Sequence, residues 1–322
     1  MTPAELSRTV LHAVRRAVAD GALHVSVPAS VGVERPRPGG TGDYASNVAL
    51  KLAGPAGLPP REVAEILRPR VAGAPGIAGI EITGAGFLNF TLEDGAQTGL
   101  VRRVLAQGGS YGHGDDLADT AVSLRGSDDP RSRIWIEAVS ALIRSQGGDP
   151  ENGPEETLHV LAAGTDPLDL LGSDATRWAC LRAAAHDHPT TGPHLLTRHE
   201  SNPLFKVQYA YARSRALTRN AADLGFTGAP EVHVDGAERL TTAIADHPSL
   251  LASAARLRAP DRLARHLEVT ADALLGFQHT VLPLGDEKPS AAHRSRLALA
   301  EAAGAVLVGG LSLLGVSAPE YL

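Results

Sequence analysis

Hydrophobic residues change their spacing several times along the first hundred positions. Leu6, Val10, Ala13, Val14 and Ala17 recur at helical spacing and predict a helix with one apolar face. Alternation of apolar and polar residues predicts strands further on, and the Pro/Gly-rich stretch 35–42 predicts a loop. The predicted elements of this α+β region are helices at 3–19, 44–54, 60–72 and 94–107 and strands at 23–28, 77–83 and 87–92.

The pattern is less regular in the middle of the chain and almost wholly helical after Phe205. Breaks at Pro and Gly divide the last third into helices, which is typical of a helical bundle. The remaining predicted elements are a strand at 122–124, a polar linker at 147–156, a loop at 186–194 and helices at 134–145, 175–185, 203–223, 237–255, 260–281 and 290–314. We therefore predict an α+β domain at 1–108, a small α/β or mixed central domain at 109–200, and an all-α helical bundle at 201–322.

Composition narrows the class of protein. With 43% hydrophobic residues, the 322-residue chain can bury substantial cores. Its net charge of −6 excludes a generally basic nucleic-acid-binding protein, although not a local basic surface. The single cysteine, Cys180, excludes an internal disulfide framework and favours a reducing cytoplasm. The sequence contains no run of about 18 consecutive apolar residues, so we predict no membrane span.

Several kinds of site are missing from the sequence. Only three of the 30 basic residues are lysines, at positions 51, 206 and 288, and none follows a Gly-rich turn as a phosphate-binding P-loop requires. The motifs H-E-x-x-H and C-x-x-C do not occur. His186 and His188 lie in a Thr/Pro/Gly-rich loop, where a solvated loop is favoured over a metal site. We therefore predict neither a metal nor a cofactor.

A basic helix is the first feature that favours binding. Residues 201–222 contain no acid but carry four cations: Lys206, Arg213, Arg215 and Arg219. Tyr211, Arg215 and Arg219 follow one another at i, i+4 and i+8, which places them on one helical face. Cations beside an aromatic ring suit a phosphate backbone with an unstacked base. On charge alone, an arginine face paired to acids elsewhere in the bundle is an equal alternative.

The start of this helix resembles a known family. The run NPLFKVQYAYAR, from Asn202 to Arg213, resembles N-P-x-F-x-V-Q-Y-A-H-A-R, which opens the anticodon-binding domain of arginyl-tRNA synthetases. Residues 296–299 and the run GVSAPE at 315–320 resemble the closing helix and the G-[IV]-S-A-P-E-R-M ending of that family. The chain departs from the family at Tyr211, where His is usual, and at Tyr321-Leu322. The resemblance implies contact with the anticodon stem-loop of a tRNA for Lys206, Gln208, Tyr211, Arg213, Arg215, Arg219 and Tyr321.

The N-terminal region resembles the same family. The run GDYASNVA at 42–49 resembles G-D-[YF]-[AS]-[ST]-N-x-A, and GFLNF at 86–90 resembles G-[FY]-[IL]-N-[FI]. In the family this domain contacts the tRNA elbow near the D-loop. The resemblance implies such contacts for Tyr44, Asn47, Phe87 and Asn89, although a core position for Phe87 is an equal alternative. Tyr209, by contrast, is expected in the core, because the apolar face of its helix needs large residues.

The middle of the chain departs from the family. The turn before the helix at 134–145 reads Asp129-Pro130-Arg131-Ser132-Arg133, without the H-[IV]-G-H signature that holds ATP phosphates in the family. The K-M-S-K signature cannot be present, because Met1 is the only methionine and no lysine lies between Lys51 and Lys206. Tyr111 and the next recognisable segment, 166–181, are too close together for a complete nucleotide-binding domain. The central domain is therefore interpreted as a reduced remnant of the catalytic domain.

Three functions remain open. The first is a non-catalytic tRNA-binding protein in the cytoplasm, with an arginine tRNA favoured and with no role for DNA or membranes. The second is a regulatory protein that binds a protein partner and has lost RNA binding. The third is a degenerate arginine–tRNA ligase that acts with ATP and a partner, for which His113, Asp115 and Asp116 form the polar cluster nearest the remnant.

Overall fold

The computed structural model of the chain describes residues 1–36, 41–93, 95–163 and 168–322. By their internal contacts these residues form two compact units, Met1–Leu100 and Val101–Leu322. The division into three domains at 1–108, 109–200 and 201–322 stays a prediction. The predicted fold class is confirmed, because an α+β region is followed by a small mixed region and a helical C-terminal region.

The first unit packs three helices against a three-stranded antiparallel sheet. Strand β3 (Phe87–Leu92) lies in the centre, between β1 (Tyr44–Ser46) and β2 (Ile77–Thr83). Helix α1 (Pro3–Ala19) begins with a capping box, in which the Thr2 side chain accepts from the Glu5 backbone N–H and the Glu5 side chain accepts from the Thr2 backbone N–H. The elements are α1 (Pro3–Ala19), β1 (Tyr44–Ser46), α2 (Val48–Ala56), α3 (Pro60–Val71), β2 (Ile77–Thr83), β3 (Phe87–Leu92) and, crossing into the second unit, α4 (Ala96–Gln107).

Two predictions in this unit are wrong. Residues 23–28 form no strand, since Leu23 packs into the core while the segment pairs with no neighbouring strand in the described chain. Residues 44–46 are strand β1 and not the start of a helix, because Tyr44 and Ser46 pair with Phe90 and Leu88 of β3. Tertiary pairing thus overrides the helical periodicity. Part of the predicted loop 35–42 lies outside the described residues.

The second unit begins with a β–α–β segment. Strand β4 (Ser123–Arg125) pairs in parallel with β5 (Glu155–Thr157), and α5 (Pro130–Ser145) connects the two. Parallel strands joined through a helix are the basic unit of α/β folds. The predicted strand and helix are confirmed here with slightly different bounds, and the predicted linker 147–156 runs into β5.

The rest of the second unit is helical. Its long helices are α6 (Leu168–Arg182), α7 (Pro203–Asp223), α8 (Glu238–Arg256), α9 (Pro260–Phe277) and α10 (Ala291–Leu313). Single 3-10 turns occur at Gly108–Ser110, Pro193–Leu196 and Gln278–Thr280. Helix α10 is long and apolar enough to cross a membrane by length and composition, but 67% of its most apolar stretch is buried inside the bundle. Its Gly304 faces Ser214 of α7, and a Cβ added at this glycine would clash with the Ser214 hydroxyl oxygen.

A stack of three rings lies inside this unit. The rings of Tyr111 and His247 are 5.9 Å apart, and those of His247 and His266 are 5.3 Å apart. His247 is 1% exposed and His266 is 7% exposed. Nδ1 of His247 and Nε2 of His266 have no hydrogen-bond partner in the described chain. Burial lowers the pKa of His247 to about 3, with repulsion from His266 as a further cause, and burial lowers the pKa of His266 to about 4.

Candidate functional site

Helix α7 has a firmly fixed start. The Asn202 side-chain oxygen accepts from the backbone N–H of Leu204 at 3.1 Å and of Phe205 at 3.4 Å. Its amide nitrogen donates to the carbonyls of Leu195 at 2.8 Å and Thr197 at 2.9 Å. Asn202 therefore caps the helix and also holds the preceding turn against it. This orientation decides which faces of α7 are exposed.

The two tyrosines of α7 lie on the opposite sides from those expected. Tyr211 is only 8% exposed, and burial raises the pKa of its hydroxyl. Tyr209 is 38% exposed and stacks on Phe205, with 5.7 Å between the ring centroids. The core face of the helix runs through Val207, Tyr211 and Ser214, at helical spacing, and leaves Tyr209 outside it. The expectation that Tyr209 lies in the core is wrong.

Most cations of α7 contact side chains elsewhere in the bundle. Lys206 Nζ lies 2.8 Å from an Asp272 carboxylate oxygen. Arg213 Nε donates to the Gln278 amide oxygen at 2.5 Å. Arg215 Nε lies 3.2 Å from a Glu320 carboxylate oxygen. The alternative of a cationic face paired to acids therefore applies to Lys206 and Arg215. Such solvent-exposed pairs contribute little stability and exchange readily, so pairing does not exclude a ligand.

Gln208 and Arg219 both contact the segment after α10. Gln208 Nε2 donates to Asp174 and to the Ser317 carbonyl, each at 3.0 Å. The Arg219 guanidinium carbon lies 4.2 Å from the centre of the Tyr321 ring, which is 72% exposed. Arg219 Nη2 also donates to the Glu320 carbonyl at 3.4 Å. Gln208 is thus a structural link, whereas Arg219 and Tyr321 form a cation–π pair at the surface.

A groove of about 540 Å³ opens beside the start of α7. Its apolar walls include Leu171, Leu196, Phe205 and Leu322, and the exposed Arg198 also lines it. An aromatic ring next to an unburied cation is suitable for stacking and phosphate contact. Sequence reasoning missed Arg198, for which no motif gave a signal, and did not assign a role to Phe205, which lies inside the recognised NPLFKVQYAYAR run.

The four predicted contact residues of the first unit differ in exposure. Phe87 is 41% exposed, so its alternative core position is wrong. Asn89 follows two residues later on the same strand face but is 6% exposed, and its amide donates to Thr83 Oγ1 at 2.7 Å. Tyr44 is 5% exposed, with the Arg35 guanidinium 5.4 Å from its ring centre. Asn47 is half-buried at the start of α2. Phe87 is therefore the ring of this set available for stacking.

The start of α5 is occupied by side chains and backbone of its own unit. One Asp129 carboxylate oxygen accepts from the N–H of Arg131 at 2.9 Å and from that of Ala163 at 3.2 Å. The Arg131 side chain is fully buried, and burial lowers its pKa. Its guanidinium donates to five backbone carbonyls at 2.6–3.1 Å, those of Leu161, Cys180, Ala183, Ala184 and Asp187. Arg131 therefore ties α5 to the C-terminal end of α6, where carbonyls carry partial negative charge.

The other polar clusters give no coordination geometry. His113, Asp115 and Asp116 are exposed. His186 Nε2 lies 3.7 Å from an Asp187 carboxylate oxygen on the surface. Within the described ranges, no three His, Cys, Asp or Glu side chains are placed to hold a metal ion. Cys180 is fully buried.

Comparison with known proteins gives matches to both ends of the chain. Residues 5–92 match the arginyl tRNA synthetase N terminal domain, and residues 207–322 match the DALR anticodon binding domain. The chain is 26% identical to the arginine–tRNA ligase of Frankia alni in an alignment that covers all of both chains. It is 37% identical over 219 residues to that of Pseudarthrobacter chlorophenolicus, which covers 58% of this chain and 39% of the relative.

The relatives are longer than this chain. The alignment with the Frankia alni ligase has 556 positions, of which the 322 residues here can fill little more than half. Thermus thermophilus arginyl-tRNA synthetase has the same fold, with a TM-score of 0.74 at 12% identity and full coverage of both chains. The Plasmodium falciparum enzyme gives a TM-score of 0.68 at 9% identity, with 99% of each chain covered.

Proposed function

Because the chain belongs to the arginyl-tRNA synthetase family and carries its N-terminal and anticodon-binding domains, we propose that it is a non-catalytic tRNA-binding protein. Relatives named arginine–tRNA ligases make tRNA the proposed partner, with an arginine tRNA in first place. The proposed compartment is the cytoplasm, in keeping with a single, buried cysteine.

The observation that carries the proposal is the closed start of α5. A phosphate-binding helix N-terminus needs free backbone N–H groups directed at the ligand. In this chain the Asp129 carboxylate caps the first turn and also accepts from Ala163, so a protein segment lies where a ligand would approach. Arg131, one of the two arginines in that turn, points into the protein and donates to five carbonyls. The turn is therefore built for packing.

The sequence supports the same conclusion independently. The family signature before this helix is replaced by Asp129-Pro130-Arg131-Ser132-Arg133. The second signature needs an internal methionine and nearby lysines, which the stretch between Lys51 and Lys206 does not contain. Both signatures supply positive groups to ATP phosphates, so their absence removes the main electrostatic stabilisation of the transition state.

Exposed aromatic rings with neighbouring cations support RNA binding. Tyr209 and Phe205 form a stacked pair at the surface, and Arg198 lines the groove beside Phe205. In the other unit, Phe87 is exposed at the start of β3. Single-stranded bases stack on such rings, at about 1–3 kcal/mol per base, while arginines contact the backbone phosphates. We propose these residues as the RNA contacts, in addition to Arg215 and Arg219.

The test measures binding and chemistry on the same preparation. The full chain should shift a labelled arginine tRNA transcript into a saturable complex at about 50 mM salt, and affinity should fall steeply as salt increases. The same preparation should give neither ATP-dependent charging nor pyrophosphate exchange, with a full-length arginine–tRNA ligase as the positive control. Absence of a saturable complex would refute the proposed function. Charging above background would instead support a ligase that acts alone or with a partner.

The paired cations of α7 favour a second candidate. With Lys206 held by Asp272 and Arg215 by Glu320, less positive charge is free on this helix than the sequence indicates. A protein that kept the scaffold but exchanged RNA for a protein partner would have this property. Its signature is co-purification of a stoichiometric protein partner from cells after ribonuclease treatment, together with no tRNA complex.

A further inference from the structure

Residues 317–322, which come after α10 and the short turn that ends it, lie against α7. We refer to residues 317–322 as the covering segment. It is anchored at Ser317, whose backbone N–H donates to Asp174 at 3.1 Å and whose carbonyl accepts from Gln208 at 3.0 Å. Beyond this anchor, Glu320 contacts Arg215 and Arg219, and Tyr321 stacks on Arg219. The covering segment therefore engages two of the four cations of α7.

These contacts have the chemistry of a nucleotide. The Glu320 carboxylate meets the Arg215 guanidinium at 3.2 Å, as a phosphate oxygen would. The flat Tyr321 ring lies 4.2 Å from the Arg219 guanidinium carbon, as an unstacked base would. One anionic group and one π-face thus follow each other along the segment, in contact with two successive turns of the helix.

The interaction is weak enough to be exchanged. Both partners of the ion pair remain partly in water, since the side chains of Arg215 and Glu320 are 42% and 47% exposed. Exposed ion pairs and exposed cation–π contacts each contribute little. In addition, Nη1 of Arg219 is buried and has no hydrogen-bond partner within the described residues. The covering segment therefore leaves the Nη1 donor of Arg219 without an acceptor. A phosphate group has more acceptor oxygens than the covering segment presents to Arg219.

We propose that the covering segment masks an RNA-binding face of α7 and is displaced when RNA binds. The inference rests on the proposed function and concerns the regulation of the same surface. Glu320 and Tyr321 compete with a phosphate and a base for Arg215 and Arg219. Because Ser317 stays anchored at Asp174 and Gln208, the displaced residues remain tethered and close again after release. Tyr321 then acts as a competitor, and not as one of the RNA contacts.

The test compares variants of the full chain in binding a fluorescent anticodon stem-loop RNA. The double variant Glu320→Gln/Tyr321→Ser removes both competing groups and should bind about fivefold more tightly than the original chain. Tyr321→Phe keeps the ring and should bind like the original chain. Asp223→Asn removes the same charge from the exposed end of α7 without touching the covering segment, and should change affinity by less than about twofold.

A second readout follows the covering segment directly. A dye attached through Leu322→Cys labels one position, because the native Cys180 is fully buried. Stem-loop RNA should make this dye more accessible to a neutral collisional quencher. Unchanged or weaker binding of the double variant, while the original chain binds RNA, would overturn the masking and leave the proposed function intact. If neither protein binds RNA at low salt, the proposed function fails and the masking fails with it.

Discussion

Acid is expected to destabilise the helical unit through His247 and His266. Both imidazoles are held neutral, with folded-state pKa values of about 3 and about 4 against 6.5 for an ordinary histidine. A group whose pKa is lowered by folding binds protons more readily in the unfolded chain. Its contribution to stability is therefore fully present above pH 6.5 and is lost progressively as the pH falls towards the folded-state pKa.

The size of the loss follows from the two pKa differences. Each pKa unit corresponds to about 1.4 kcal/mol. A pH of about 5 lies about 1.5 units below the ordinary histidine pKa. At this pH each histidine is protonated in the unfolded chain and neutral in the folded chain, which lowers the free energy of unfolding by about 2 kcal/mol per residue. The two together lower the free energy of unfolding by about 4 kcal/mol between neutral pH and about pH 5, which is a large part of a typical domain's stability.

Urea unfolding at about pH 7 and about pH 5, followed by circular dichroism, measures this difference. His266→Gln should lose about half of the pH-dependent part, whatever its effect on absolute stability, since an amide does not titrate. His188→Gln, at an exposed position, should keep the full difference. If the original chain had the same free energy of unfolding at both pH values, the two imidazoles would not be buried and neutral as the structure indicates.

Three further changes test other contacts. Arg131→Met should destabilise the second unit by about 3–5 kcal/mol in chemical denaturation, because five carbonyls lose their donor, whereas Arg133→Gln on the surface should have little effect. Gly304→Ala should lower the free energy of unfolding by about 1–3 kcal/mol, because the added Cβ clashes with the Ser214 hydroxyl. The added change Ser214→Ala should recover much of this loss, and failure of the rescue would contradict the close packing of α7 and α10. Tyr209→Ala should weaken tRNA binding by about 1–3 kcal/mol in a filter-binding titration, and an unchanged affinity would remove Tyr209 from the proposed contacts.

Local signals made the helical part of the fold predictable. Helix α7 has the predicted bounds, 203–223, because Asn202 supplies a side-chain cap and Pro203 suits the first helical position. Strand β1 was not predictable in this way, since residues 44–46 become extended only by pairing with β3, more than forty residues away. The sequence carries the apolar pattern of this segment but not the identity of its partner.

For the candidate site, too, the sequence predicted local features but not tertiary contacts. The resemblance pointed to helix α7 and to Phe87, but it did not give the rotation of α7 in the bundle, which exposes Tyr209 and buries Tyr211. It also gave no indication of the covering segment, since the contacts of Arg215 and Arg219 with Glu320 and Tyr321 join residues about a hundred positions apart. Neighbours of this kind depend on how the helices pack, which spacing along one helix does not encode.

The tie between α5 and α6 has a consequence for how such a protein can change over generations. A turn that accepts a nucleotide at the start of α5 requires open backbone amides, yet replacing Arg131 would leave the end of α6 without its donors. A substitution of Arg131 towards a nucleotide site therefore destabilises the fold before it confers an activity. Under the proposed function, the contacts of Arg131 make a loss of nucleotide binding difficult to reverse by single mutations.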